Sequence, residues 1–198
     1  DSKKFSTYLR KISKPTLIVA NKIDVPNADK NFHRLRERYN DMIIVPASAD
    51  SELTLRRAEQ KGLIKYSPGS EQFDILKANE LNQKQIDALD FIKSDIMGEF
   101  MHTGVQFAIN VTVFKLLKMN SIYPVTIPEK LSDKNGRVLP DLILLKDGST
   151  IVDLAKEIHS DLIKGLLYAK DLRYNLRVPT NYQLRDRDVI SLVSASKK

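Results

Sequence analysis

The rhythm of hydrophobic and polar residues changes several times along this chain. In the first fourteen positions (DSKKFSTYLRKISK), Phe5, Tyr8, Leu9 and Ile12 recur at three- and four-residue steps among basic residues, which is the period of an amphipathic helix. Pro15 ends that rhythm. Thr16-Leu17-Ile18-Val19-Ala20 is then an unbroken apolar run with the length of a buried parallel strand. Helical spacing returns with Phe32, Leu35 and Tyr39, and a second apolar run, Met42-Ile43-Ile44-Val45-Pro46, leads into Ala47-Ser48-Ala49. Asp50 can cap a further helix that runs to Gln60, with Leu53 and Ala58 turned inward and Gly62 placed for a left-handed C-terminal cap. Strand, loop, helix, strand and helix in this order predict the carboxyl end of a doubly wound α/β sheet, where ligands bind.

Residues 62–75 read as irregular, with a Ser67-Pro68-Gly69 turn. Ile86, Leu89, Ile92, Ile96 and Phe100 then predict a helix. Thr103-Gly104-Val105-Gln106 reads as a capping box ahead of a second one through Ala108, Ile109, Thr112, Leu116 and Met119, although Val111-Thr112-Val113 also suits a strand. Core packing is the expected role of this pair. From Ile122 the elements shorten. Residues 122–127 predict a strand whose Pro124 points to an edge or first-strand position. A turn at Asp133-Lys134-Asn135-Gly136 precedes a strand over 142–145, closed by Asp147-Gly148. Thr150 with Asp153 opens a short helix through Ile158, and strands return at 166–169 and 189–193. Two strands, a helix and further strands in so short a span predict a β-grasp, ubiquitin-like module. The expected organisation is therefore α/β over residues 1–78, a helical segment over 79–121, and the β-grasp module over 122–198.

Composition narrows the class only a little. The 198 residues are 42% hydrophobic and 29% charged, ordinary for a soluble globular protein. No apolar run reaches the ~20 residues of a membrane span, and the N-terminus is too polar for a secretory signal. The chain contains no cysteine, which removes disulfides, thiolate zinc sites and a cysteine nucleophile. His33, His102 and His159 have no metal-ligand spacing. These features fit a cytoplasmic protein. The net charge of +7 resides in the two ends of the chain, which favours weak contact with RNA or a ribosome and equally suits an ordinary solvated surface.

The residues that carry chemistry are Asn21-Lys22-Ile23-Asp24, directly after the first apolar run. The Asp24 carboxylate can accept two parallel hydrogen bonds from the ring N–H and exocyclic amine of guanine. Adenine offers no amine there, so the carboxylate would be left unpaired, and selectivity follows from that penalty. The Lys22 stem can lie over the flat base while its ammonium stays in water. The Asn21 amide can tie the loop and meet the base edge. Ser48 and Ala49, after the second strand, can turn a backbone N–H toward the guanine carbonyl oxygen. Against this stands the plain turn, for which Asn and Asp are also common. No glycine is followed by lysine, so the phosphate-cradling G-x-x-x-x-G-K-[ST] is absent from this sequence. One helix leading into a base-reading strand looks like the interior of a longer protein.

The last module resembles a TGS domain, the β-grasp module of threonyl-tRNA synthetases, GTPases and SpoT-like proteins. The segments that carry the likeness are Leu139-Pro140-Asp141, Lys146-Asp147-Gly148-Ser149-Thr150, Asp153-Leu154-Ala155, Ile158-His159-Ser160-Asp161-Leu162 and Asp188-Val189-Ile190. Taken with the 21–24 loop, Ser48-Ala49, Thr103-Gly104-Val105-Gln106 and Tyr123-Pro124-Val125, nearly the whole chain resembles the carboxyl half of a YchF-type, Obg-related GTPase. Many members of that family depart from Asn-Lys-x-Asp and prefer ATP; with Lys22 and Asp24 retained, this chain resembles a guanine-selective archaeal or eukaryotic branch. The resemblance implies GTP or GDP as ligand and a role with ribosomes or translation. It implies magnesium only in the complete protein. The family's phosphate loop, magnesium-binding threonine and switch regions have no counterpart in the sequence, and no residue matches a catalytic position. A single carboxylate contact of roughly 1.5–3 kcal/mol falls short of the about 4 kcal/mol of millimolar affinity. The chain by itself is expected to bind GTP at millimolar strength or weaker and not to hydrolyse it.

An alternative of another class is a non-enzymatic RNA- or protein-binding module with a vestigial nucleotide site. Lys164, Lys170, Arg173, Arg177, Arg185 and Arg187 could form a basic surface with Tyr168, Tyr174 and Tyr182 interleaved, or they could simply alternate with Asp171, Asp186 and Asp188 on a solvated face. His159 falls in the short helix, where packing or hydrogen bonding suits it better than chemistry.

Overall fold

The computed structural model describes residues 2–195, the side chain of residue 11 excepted, and divides into two compact units at Leu116/Leu117. Asp1 and residues 196–198, the outer ends of the expected segments, lie outside the described residues. Residues 79–116 of the helical segment lie in the first unit and residues 117–121 in the second.

In that unit α1 (Ser2–Ser13) carries the predicted apolar stripe, and all four of its residues are exposed. Strands β1 (Leu17–Asn21) and β2 (Ile43–Ala47) run parallel in register from Leu17↔Ile43 to Asn21↔Ala47, connected through α2 (Ala28–Arg38). The next helix, α3 (Ala49–Gln60), is capped by Ser48, whose Oγ accepts the Ser51 N–H, and not by Asp50. Its inward residues are Ser51, Glu52 and Leu55; Ala58 packs beside them, while Leu53 is 43% exposed. Leu53 and Leu55 lie about 200° apart around a helix, so only one of them can face a given core. The helix is closed by its C-cap Lys61 and by Gly62, where φ is +66°.

Within the stretch expected to be irregular, β3 (Ile64–Lys65) and β4 (Asp74–Ile75) form a small antiparallel pair. Helix α4 (Gln83–Phe91) opens with a capping box between Asn82 and Gln85, continues as a π-wound stretch over Ile92–Met97, and ends in α5 (Gly98–Phe100). Leu89, Ile92 and Met97 join Leu55, Leu63, Ile64, Tyr66 and Phe73 in one core cluster. Ile96 instead reaches a second cluster with Ile23 and Phe32. Helix α6 (Val105–Asn110) leads into another π-wound stretch, Val111–Leu116, so Val111-Thr112-Val113 is helical and not strand. Thr103 does not cap α6. The N-cap is Gly104, without a side-chain bond.

The second unit is a five-stranded sheet in the order β6-β5-β9-β7-β8. The strands are β5 (Met119–Pro124), β6 (Ile143–Lys146), β7 (Leu166–Asp171), β8 (Leu176–Val178) and β9 (Asp188–Ser194). β5 and β9 are parallel and the other pairs antiparallel. Pro124 lies on neither an edge nor a first strand position: it closes β5, between β6 and β9, and the next residue, Val125, resumes the bonding to Ile190. Helix α7 (Ile151–Ile158) packs on β6 and β7, burying Ile151 and Leu154 against Ile122, Leu145, Ala169 and Ile190. It starts as predicted, with Asp153 accepting from both the N–H and the hydroxyl of Thr150. A further short helix, α8 (Ser160–Gly165), precedes β7. The fold is a β-grasp.

Candidate functional site

Strand β1 ends at Asn21, and the next residue, Lys22, takes φ +66°, reversing the chain so that Ile23 turns inward. Ile23 is 8% exposed against Phe32 and Ile96, and its N–H donates to the Ala47 carbonyl at 3.1 Å. One apolar anchor and one backbone bond thus fix the loop on the end of β2. Lys22 is exposed. Asp24 is half-buried, with Oδ1 enclosed and without a hydrogen-bond partner. Leaving such an acceptor unmade costs about 1–3 kcal/mol.

Asn21 reaches across to the neighbouring strand end, where its Oδ1 accepts the Ala49 N–H at 3.1 Å. The Ser48 N–H donates to the Thr103 carbonyl at 2.8 Å, and its hydroxyl donates to Ser51 Oγ at 2.7 Å. Both amides considered for a base carbonyl are therefore engaged. Ser48 is buried and committed to the protein, whereas Ala49 is an exposed residue whose N–H is held by Asn21. A cleft of about 290 Å³ opens beside the loop, lined by Asn21, Lys22, Val25, Asn31 and Leu35 among others. Asp24 and Ala49 do not line it, so it is not the place of a base they would both read.

Behind Ser48 lies a network that sequence reasoning missed. Glu52 is 4% exposed and accepts from Thr103 Oγ1, from Tyr66 Oη at 2.8 Å and from Arg56 Nε at 2.6 Å. Burial pushes the Glu52 carboxyl up, but these donors outweigh it and hold the group below its ordinary value of 4.5. Burial, then the hydrogen bond to Glu52 and its charge, pushes the Tyr66 phenol up to about 12. The one signal available beforehand was the Thr103-Gly104 pair itself. Among the described residues no group of three acidic, histidine or cysteine side chains could hold a metal ion.

The six basic residues of the second unit do not act alike. Lys170 and Arg177 are exposed cross-strand neighbours on β7 and β8, with the Arg177 guanidinium 3.7 Å from the Tyr168 ring centroid. Arg173 is turned to the protein: Nη1 donates to the Asp186 carbonyl at 2.8 Å and Nη2 to Tyr174 Oη at 3.0 Å. Its charge lies 3.6 Å from Asp188 Oδ1, too far for a hydrogen bond, which leaves that fully buried oxygen without a donor. Arg187 lies 3.6 Å from Asp186, and Lys164 pairs with Asp161 at 3.4 Å on α8. Arg185 donates its backbone N–H to Asp188 Oδ2. His159 lies between α7 and α8, where its Nδ1 accepts the Asp161 N–H at 3.2 Å.

A family model described as Obg-like GTPase YGR210-like, G4 motif-containing domain, matches residues 19–126, and the TGS domain matches residues 132–194. The chain is 45% identical over 189 residues to a GTP-binding protein of Methanocaldococcus jannaschii, covering 96% of this chain and 47% of that protein. It is 31% identical over 143 residues to a GTP-binding protein of Schizosaccharomyces pombe, covering 69% and 35%. A crystal structure of a GTP binding protein from Pyrococcus horikoshii OT3 superposes with a TM-score of 0.72 at 38% identity, over 96% of this chain and 49% of that one. The chain thus spans about half, or less, of the length of each of these relatives.

Proposed function

Because this chain belongs to the Obg-like GTPases of the YGR210-like family, as a G4-motif-containing domain followed by a TGS domain, we propose that it supplies the base-reading half of a guanine-nucleotide site. Asp24 accepts from the ring N–H and amine of guanine, and Lys22 covers the base. Asn21 meets the base edge, and the Ala49 N–H is given up by Asn21 to the base carbonyl. Ser48 holds the loop from behind. The observation that carries this reading is the bond from the Ala49 N–H to Asn21 Oδ1 at 3.1 Å, which ties the 21–24 loop to the turn after β2. GTP or GDP fits the donor set on these grounds; phosphate and magnesium contacts would come from segments outside this sequence.

The test is a titration of the 198-residue chain with GMP and AMP, followed through amide resonances of residues 21–24 and 48–49. Millimolar, saturable shifts with GMP and weaker ones with AMP are expected. Equal responses to the two nucleotides overturn the assignment.

A second reading concerns the TGS domain, as a surface for RNA, with the ribosome as its setting. What favours it is the placement of Lys170 directly across from Arg177. Like charges facing each other on paired strands destabilise a sheet, and an anionic partner would relieve them. Arg177, stacked on Tyr168, offers a guanidinium plane on which a base can stack.

A further inference from the structure

Thr103 and Gly104 come 55 residues after Ser48 and Ala49, yet they meet the end of β2 backbone to backbone. Gly104 has φ +86°, and a Cβ built there would lie 2.0 Å from the Pro46 carbonyl oxygen and 2.7 Å from Ala47 Cα. No side chain fits that approach, and a strand backbone cannot move aside as a flexible side chain can. Beside it, the Thr103 carbonyl accepts the Ser48 N–H at 2.8 Å. The Thr103 hydroxyl, 1% exposed, donates to Glu52 in the first turn of α3. Thr103 therefore grips α3 twice, at its N-cap and four residues on. Spending the hydroxyl there leaves α6 with a glycine N-cap and no side-chain cap, a local cost of roughly a few tenths of a kcal/mol. Violations of local preference of this kind concentrate at functional sites.

We propose that Thr103 and Gly104 are positioning residues for base specificity, which hold Ser48 so that the Ala49 N–H stays where the guanine carbonyl oxygen is read. The inference rests on the guanine reading above. It goes further in dividing the specificity in two. Asp24 reads the ring N–H and amine from a loop anchored by Ile23, and Ala49 reads the carbonyl from a turn anchored by Thr103. Loosening the second anchor should blur recognition of the carbonyl and leave recognition of the amine intact.

Base analogues separate the two halves. Inosine monophosphate lacks the exocyclic amine and keeps the carbonyl. 6-Thioguanosine monophosphate keeps the amine and ring N–H and replaces the carbonyl oxygen with a weakly accepting sulfur. The 198-residue chain is titrated with GMP and each analogue by amide NMR, as wild type, Thr103→Val and Thr103→Ser. Wild type should prefer GMP over the thio analogue by about threefold to tenfold, the worth of one neutral hydrogen bond. Thr103→Val, which keeps the shape and loses the hydroxyl, should bring that ratio close to one and leave the GMP-to-inosine ratio unchanged. Thr103→Ser should restore the wild-type pattern. If Thr103→Val does not fold, Glu52→Gln, a weaker acceptor for the same hydroxyl, should show the same pattern at smaller amplitude. Retention of the thio ratio in the variants overturns the proposal, as does an equal loss of both ratios, which would assign Thr103 to the general fold. A wild-type chain that does not distinguish GMP from AMP overturns the guanine reading itself, and this proposal with it.

Discussion

Replacing Asp24 with Asn should weaken guanine binding while leaving the fold intact or firmer, because the enclosed Oδ1 of Asp24 finds no donor within the protein. A buried acceptor left unmade costs about 1–3 kcal/mol, and a neutral amide removes the part that comes from desolvating a charge. Recovering about 1 kcal/mol would raise the melting temperature of a unit of this size by about 4 °C. Against guanine the sign reverses. Asn keeps one acceptor and turns an amine toward a base edge that offers only donors there. Losing a charge-assisted contact of about 1.5–3 kcal/mol weakens GMP binding roughly 10- to 150-fold. Xanthine carries a carbonyl where guanine carries its amine, so xanthosine monophosphate should bind the variant better than it binds wild type.

The assay combines amide NMR titrations with both nucleotides and hydrogen exchange of the Ile23 N–H, whose bond to the Ala47 carbonyl at 3.1 Å reports on the loop. Protection of Ile23 should be unchanged or higher in the variant. Lost protection together with unchanged GMP binding would refute the reasoning, since Asp24 would then be serving the fold and not a base.

Three further outcomes follow from the charged groups. Glu52 is held below its ordinary carboxyl value in the folded state, so its contribution to stability is present above the unfolded value and is lost as pH falls through the lowered folded one. Glu52→Gln should therefore flatten the acid limb of a plot of urea midpoint against pH for the first unit; an unchanged limb would dismiss the network as its cause. Asp188 has the opposite sign: burial raises its carboxyl above 3.8, so its stabilisation is full below the unfolded value and is lost as pH rises through the folded one. Asp188→Asn should remove that loss, making the second unit firmer at pH 7 by hydrogen exchange of β9 amides and little changed in acid. Reversing Lys170 and Arg177 to Glu should weaken binding of a single-stranded RNA and lower the salt slope by about one to two counterions, whereas reversing Arg187, already beside Asp186, should do much less; equal effects would argue against the sheet face.

Features set by neighbours in sequence were legible in advance, and features set across the fold were not. The 21–24 loop and the Thr150–Asp153 start of α7 rest on residues three apart, and both can be read from spacing alone. The Asn82–Gln85 box has the same kind of signature. In α3 the spacing admits either Leu53 or Leu55 as the inward residue. The cluster of Leu63, Ile64, Tyr66 and Phe73 makes the choice, and those residues follow the helix. Pro124 suggested an edge because an interior strand needs its N–H groups, but as the last residue of β5 it interrupts no ladder that Val125 does not resume. Thr103-Gly104-Val105-Gln106 is the sharpest instance. Its letters spell a capping box, and local preference alone would leave Thr103 bonded within its own helix. Glu52, 51 positions earlier, is a charged acceptor in a dry setting and a stronger partner than a backbone amide at a helix end. The hydroxyl goes to the stronger acceptor, the glycine is fixed by the strand it touches, and a pattern that reads locally as a helix start becomes a clamp on the loop that carries Ala49.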